Sequence, residues 1–156
     1  MEKTAETDAF WQAFLATLPA DIDPPDDYEV WHFSDNEKSA NHLGELVQAG
    51  IKTATCSLLW SYEVEGQPLP QVNEYSLIAN WEGEPLCVIL TTEVEIRKFN
   101  KVDAIFAYEE GEGDRSLDYW RKVHWEVFSN ECTMIGYRPT PSMPLVCERF
   151  HKVYPE

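Results

Sequence analysis

Basic residues are scarce in this chain. Its 156 residues carry 12 Lys and Arg against 28 Asp and Glu, a formal net charge of −16. Tight duplex binding needs clustered Lys and Arg on the phosphates. Duplex DNA is therefore not an expected partner. A local pocket for a nucleobase, a nucleoside or a short single-stranded RNA needs few charges and stays open. Long apolar runs are also missing. No window reaches the roughly 18 apolar residues of a membrane span, so no membrane partner is expected. The stretch Met1–Asp8 has neither a basic nor an apolar leader region, which points to a cytoplasmic protein. Cysteine pairs are absent too. Cys56, Cys87, Cys132 and Cys147 form no C-x-x-C motif, which argues against a structural zinc site or a redox pair. Four reduced thiols are expected, with Cys56 and Cys147 buried.

Apolar side chains make up 44% of the chain and aromatics 13%, enough for one folded domain with its own core. Phe10, Trp11, Phe14, Leu15 and Leu18 recur at helical spacing, predicting a helix over Thr7–Leu18. The acidic, proline-bearing segment Asp21–Asp27 follows as a linker. Residues 1–27 are thus expected to pack as an arm on a domain of residues 28–156, with a homodimer contact as the alternative use of that helix. Further helices are predicted from a capping pattern at Ser34–Glu37 to Gly50, over Thr55–Tyr62, over Val102–Tyr108 and over Ser116–Ser129. Strands are predicted over Tyr28–Phe33, Tyr75–Asn80, Pro85–Thr92, Val94–Phe99 and Leu145–Val153. Strands mixed with segregated helices imply an α+β domain around a small curved sheet.

The segment Gly50-Ile51-Lys52-Thr53-Ala54-Thr55-Cys56-Ser57 concentrates one ammonium and three hydroxyls just after a helix stop. In so acidic a chain this lysine is a rare positive charge. Neutral, it could act as a base; charged, it could hold an anion or a developing oxyanion. No structural task is legible for it, so its loss is expected to cost stability within about 0.5 kcal/mol.

That block, with Glu109-Glu110-Gly111-Glu112-Gly113-Asp114-Arg115-Ser116-Leu117-Asp118-Tyr119-Trp120, Leu69–Leu77 and Pro144–Phe150, resembles the ASCH-domain family in its longer bacterial form. The resemblance runs from about Trp31 to Tyr154. It departs at Val72-Asn73-Glu74, where the family has Gly-Asp; Asn tolerates positive φ, so the turn is kept. The resemblance implies a PUA-like small curved β-barrel with surrounding helices. Short ASCH-like amidohydrolases acting on N4-acetylcytidine use a Lys, a Thr three residues later and a downstream Glu. Their motif falls on Lys52, Thr55 and Glu110, which are the expected catalytic residues. A longer ASCH ribonuclease on single-stranded RNA uses the same lysine with a serine late in a helix, which falls on Ser129; its tyrosine has no counterpart here. A non-catalytic RNA-binding or nucleotide-sensing module is the alternative use of the same cleft.

Other side chains complete the expected site. Thr53 and Ser57 flank Thr55 as hydroxyl donors. Trp60 is a candidate pocket wall for stacking a base. Arg115 supplies a cation beside the acidic loop, and His124 could be a pocket-lining acid or base. Glu110, Glu112 and Asp114 could attract a divalent cation, although calcium-loop spacing is absent; no cofactor is otherwise implied. A rim of Lys98, Lys101, Arg115, Arg121 and Lys122 would favour a binding module over an enzyme.

Overall fold

The computed structural model describes residues 1–156. Helix α1 (Ala5–Leu15) opens the chain behind an N-cap at Thr4. Strand β1 (Glu29–Trp31), helix α2 (Glu37–Gln48), strand β2 (Ala54–Leu58) and helix α3 (Leu59–Glu65) follow. Then come β3 (Tyr75–Ala79), β4 (Pro85–Lys98), α4 (Ala104–Glu110), α5 (Leu117–Ile135) and β5 (Pro144–Tyr154). The five strands make one curled sheet in the order β1-β3-β4-β5-β2. Only the β1–β3 pair is parallel. The expected α+β class and curled, PUA-like sheet are present.

One strand organises this sheet. β4 pairs with β3 through its first half and with β5 along most of its length. Its register shifts between Thr91 and Glu93. Such a bulge bends and twists a strand, so one continuous strand replaces the two expected over Pro85–Thr92 and Val94–Phe99.

The helices bury apolar stripes on the sheet in three clusters. α1 places Trp11 and Phe14 against Tyr28, Val30, Leu77 and Val88. α2 brings Val47 to Ile78, Ile89 and Phe150. α4 and α5 bring Phe106, Trp120 and Phe128 to Leu58, Phe99 and Leu145. Each such fully buried side chain contributes about 1.5–3 kcal/mol. The stripe on α5 continues through Cys132, so the helix runs past the expected end at Ser129.

The segment after Gly50 corrects an expectation. Thr55 does not open a helix; it lies in β2, opposite Glu148 of β5. β5 offers a free edge to this β-branched, hydroxyl-rich run, and α3 begins only at Leu59. Gly50 at φ +75 ends α2 in the left-handed conformation that glycine adopts cheaply. The amides of Ile51 and Lys52 then both donate to the carbonyl of Leu46. This wrap turns the Lys52 side chain inward.

Candidate active site

Two segments meet to build the site. The amide of Thr53 donates to the carbonyl of Glu109 at 2.8 Å, joining the start of β2 to the end of α4. Gly111 follows at φ +76, where a Cβ would stand 2.9 Å from the Ile51 carbonyl oxygen and 3.1 Å from the Lys52 Cα. Glycine alone lets the chain after Glu110 lie against Lys52. Asp103 caps α4 at the amide of Phe106, and Ser116 caps α5 at Tyr119. The loop carrying Glu112 is thus held at both ends.

Lys52 is 2% exposed and Glu110 1%. Lys52 Nζ donates to Glu110 Oε2 at 2.8 Å and to the Ala54 carbonyl at 2.8 Å. Glu112 Oε1 stands 3.8 Å from the same nitrogen. Burial works against the Lys52 charge, but the carboxylates of Glu110 and Glu112 outweigh it and hold the ammonium above its ordinary range. Lys52 is therefore a protonated, buried cation. Of the two uses open to it, the charged one fits this pairing, and the expectation of little structural cost is corrected. Removing one partner of a buried ion pair costs about 3–5 kcal/mol.

The two carboxylates are driven apart. Burial would raise Glu110, yet the charges of Lys52 and His124 and the Lys52 hydrogen bond hold it below its ordinary range. Burial pushes Glu112 up, and the Glu110 charge adds to that rise. Such divergence separates an ionised carboxylate from a protonatable one. Glu110 Oε1 is buried without a hydrogen-bond partner. His124 Nδ1 donates to the Trp120 carbonyl at 2.9 Å, which aims Nε2 at the carboxylates, 3.8 Å from Glu110 and 3.6 Å from Glu112.

These groups line a cavity of about 270 Å³ with Thr55, Cys56, Phe33, His42 and Tyr119. The three expected catalytic residues thus share one chamber, and His124 joins them. A larger cleft adjoins it; Thr55, Cys56, Phe33 and Ser34 line both. Ser57 lies in the larger cleft, with its hydroxyl 2.9 Å from that of Tyr62.

Four expected residues lie outside both cavities. Thr53 spends its amide on Glu109. Trp60 stacks on Tyr137, with ring centroids 5.0 Å apart. Arg115 donates to the carbonyls of Tyr108 and Ile51 and lies over the Tyr108 ring; it clamps the acidic loop. Ser129 sits late on α5 with its hydroxyl buried and unpartnered. Lys98, Lys101, Arg121 and Lys122 line neither cavity. Glu112 was visible only as one of three clustered acids; its pairing with Lys52 depends on the fold.

The acids do not form the triad suggested by their spacing. Asp114 turns away to accept from the amide of Ser116. Ligand atoms of Cys56, Glu110 and His124 do lie within 4.8 Å of one another. The Lys52 ammonium already supplies the positive charge at that point, so a cation there would meet like charge. All four cysteines are free, with Cys147 buried and Cys56 only partly so. Burial and the nearby Glu110 charge push the Cys56 thiol well up, which keeps it a weak nucleophile.

No helix is long and apolar enough to cross a membrane. None of the curated proteins compared with the chain matches it significantly. The ASCH domain profile matches residues 29–154. The crystal structure of an ASCH domain from Lactobacillus crispatus JV V101 is 33% identical, with a TM-score of 0.93 over 99% of this chain and 98% of that one. A protein from Enterococcus faecalis V583 is 39% identical, with a TM-score of 0.83 over 95% and 88%. A hypothetical protein, PH0355, shares 14% identity at a TM-score of 0.52 over 81% of this chain and 98% of its own, a likeness of fold. With the profile spanning most of the sequence and the curled sheet shared, the chain belongs to the ASCH-domain family.

Proposed function

We propose that this protein hydrolyses an amide on a small nucleobase or nucleoside. The observation that carries this reading is the buried Lys52–Glu110 pair, with Glu112 and His124 beside it, in a chamber that Thr55 also lines. A fixed ammonium in a water-poor site stabilises negative charge on an acyl oxygen. The free Oε1 of Glu110 takes a proton from the attacking water. The water oxygen bonds to the acyl carbon, and the carbonyl electron pair moves to the oxygen facing Lys52. Glu112, the more readily protonated carboxyl, gives its proton to the leaving nitrogen as the carbon–nitrogen bond breaks. A free carboxylic acid and an amine result. His124 Nε2, between the two carboxylates, returns the proton from Glu110 to Glu112. Thr55 has a hydroxyl free of protein hydrogen bonds and orients the acyl group.

RNA cleavage draws less support. Ser129, the second residue of that reading, lines neither cavity, and Lys52 is the sole Lys or Arg of the small chamber. A parallel assay of N4-acetylcytidine and a single-stranded RNA oligomer, with and without divalent metal, tests the choice. Release of acetate and cytidine by wild type, and its loss in Lys52→Ala that remains folded, supports the amidase. RNA cleavage without deacetylation refutes it. Binding of either compound without turnover would favour the sensing module.

A further inference from the structure

The larger cleft, about 730 Å³, has a lining chemically distinct from that of the chamber. All five strands contribute to it, among them Trp31 from β1, Ser57 from β2, Ser76 from β3, Thr91 from β4 and Glu148 from β5. Glu148 stands opposite Thr55 across the β2–β5 ladder. It is 8% exposed, and its carboxyl has no side-chain hydrogen bond or ion pair, in contrast to Glu109 and Glu93, which hold Arg149. The Glu148 oxygens are not sealed off like Glu110 Oε1; they stay open to the cleft, where water or a ligand supplies the donors a mostly buried carboxyl needs.

The surroundings define that supplier. Asp27, Glu29 and Glu74 also line the cleft, and its one lysine, Lys3, is already paired with Asp27. Phosphate would meet like charge here. Flat rings are well served, because Tyr28, Trp31 and Tyr62 are among the walls. A carboxylate matches two parallel N–H donors better than any other common group.

We propose that this cleft binds a flat ring carrying an amidine-like pair of N–H donors, that Glu148 is the residue that reads it, and that phosphate-bearing molecules are excluded. Burial, reinforced by Glu74, pushes the Glu148 carboxyl up to about 7, and a bound cation would bring it back down. The site stands independently of the hydrolytic reading. Combined with it, the shared wall at Thr55 places an amino-bearing ring beside the chamber and selects a nucleoside over a nucleotide.

Benzamidine is the direct probe, with benzamide as its neutral isostere and benzoate as its anionic one. Titrations followed by calorimetry and backbone amide shifts, on wild type and Glu148→Gln, need no substrate. The expected result is benzamidine binding with shifts at Trp31, Ser57 and Thr91, at least about tenfold tighter than benzoate, and weakened at least about tenfold by Glu148→Gln. Equal binding of benzoate, no benzamidine binding, or indifference to Glu148→Gln overturns the proposal. Because deacetylation is measured separately, failure of one idea leaves the other standing.

Discussion

Lys52 Nζ lies 2.8 Å from Glu110 Oε2, and both side chains are shut off from bulk water. The two lie 58 positions apart in sequence, so the pair fastens the start of β2 to the end of α4. It is at once a structural tie and the charged centre of the chamber.

Stability should report that tie. Lys52→Met leaves Glu110 buried and unpaired, and urea denaturation should show a loss of about 3–5 kcal/mol. Lys52→Met combined with Glu110→Leu removes both charges and should recover much of that loss. If the double variant is no more stable than the single one, the pair is not the cause of the destabilisation.

Glu148 should have the opposite effect on folding. Its folded pKa of about 7 stands above the ordinary 4.5. The folded chain therefore binds more protons between those values, and stability falls as pH rises through that window. Above it, wild type should be less stable than Glu148→Gln by up to about 3 kcal/mol. Near pH 4 the two should coincide. Thermal melts across pH 4–8 would check this; a constant offset would show that ionisation of Glu148 is not responsible.

Gly111→Ala tests the contact between the two segments. The added Cβ would press on the Ile51 carbonyl at 2.9 Å in a left-handed backbone. A loss of about 1–3 kcal/mol is expected, with a disturbed Lys52–Glu110 geometry. Gly66→Ala, where φ is also positive but nothing lies within 4 Å, is the control and should cost less. Equal losses would mean backbone strain alone decides the effect.

Much of this was legible in the sequence, and the failures have causes. The Gly50 stop and the Lys52–Thr55 spacing marked one segment as a candidate, and Glu110 joined it only through the resemblance to the ASCH-domain family. The burial of Lys52 was not legible, because its partner arrives from α4. Thr55 was read as helical because Leu58, Leu59 and Tyr62 keep helical spacing. Thr55 and Ser57 instead pair with Glu148 and Val146 of β5, and that ladder holds the segment as a strand. Arg115 was expected to supply a cation to the site but serves two backbone carbonyls. Trp60 looked like a pocket wall but faces Tyr137. Glu148 lies in the strand expected over Leu145–Val153, and nothing in its sequence neighbours marks it as a site residue. Only the curled sheet encloses it.

In the proposed hydrolysis Glu110, beyond holding Lys52, accepts the proton from water. The most direct measurement is kcat/KM for N4-acetylcytidine with wild type and Glu110→Gln, the variant's folding checked by circular dichroism. Glutamine keeps the shape and a hydrogen bond to Lys52 but cannot accept the proton. A fall of about 100-fold or more is expected in a folded variant. Activity in folded Glu110→Gln equal to wild type would contradict it.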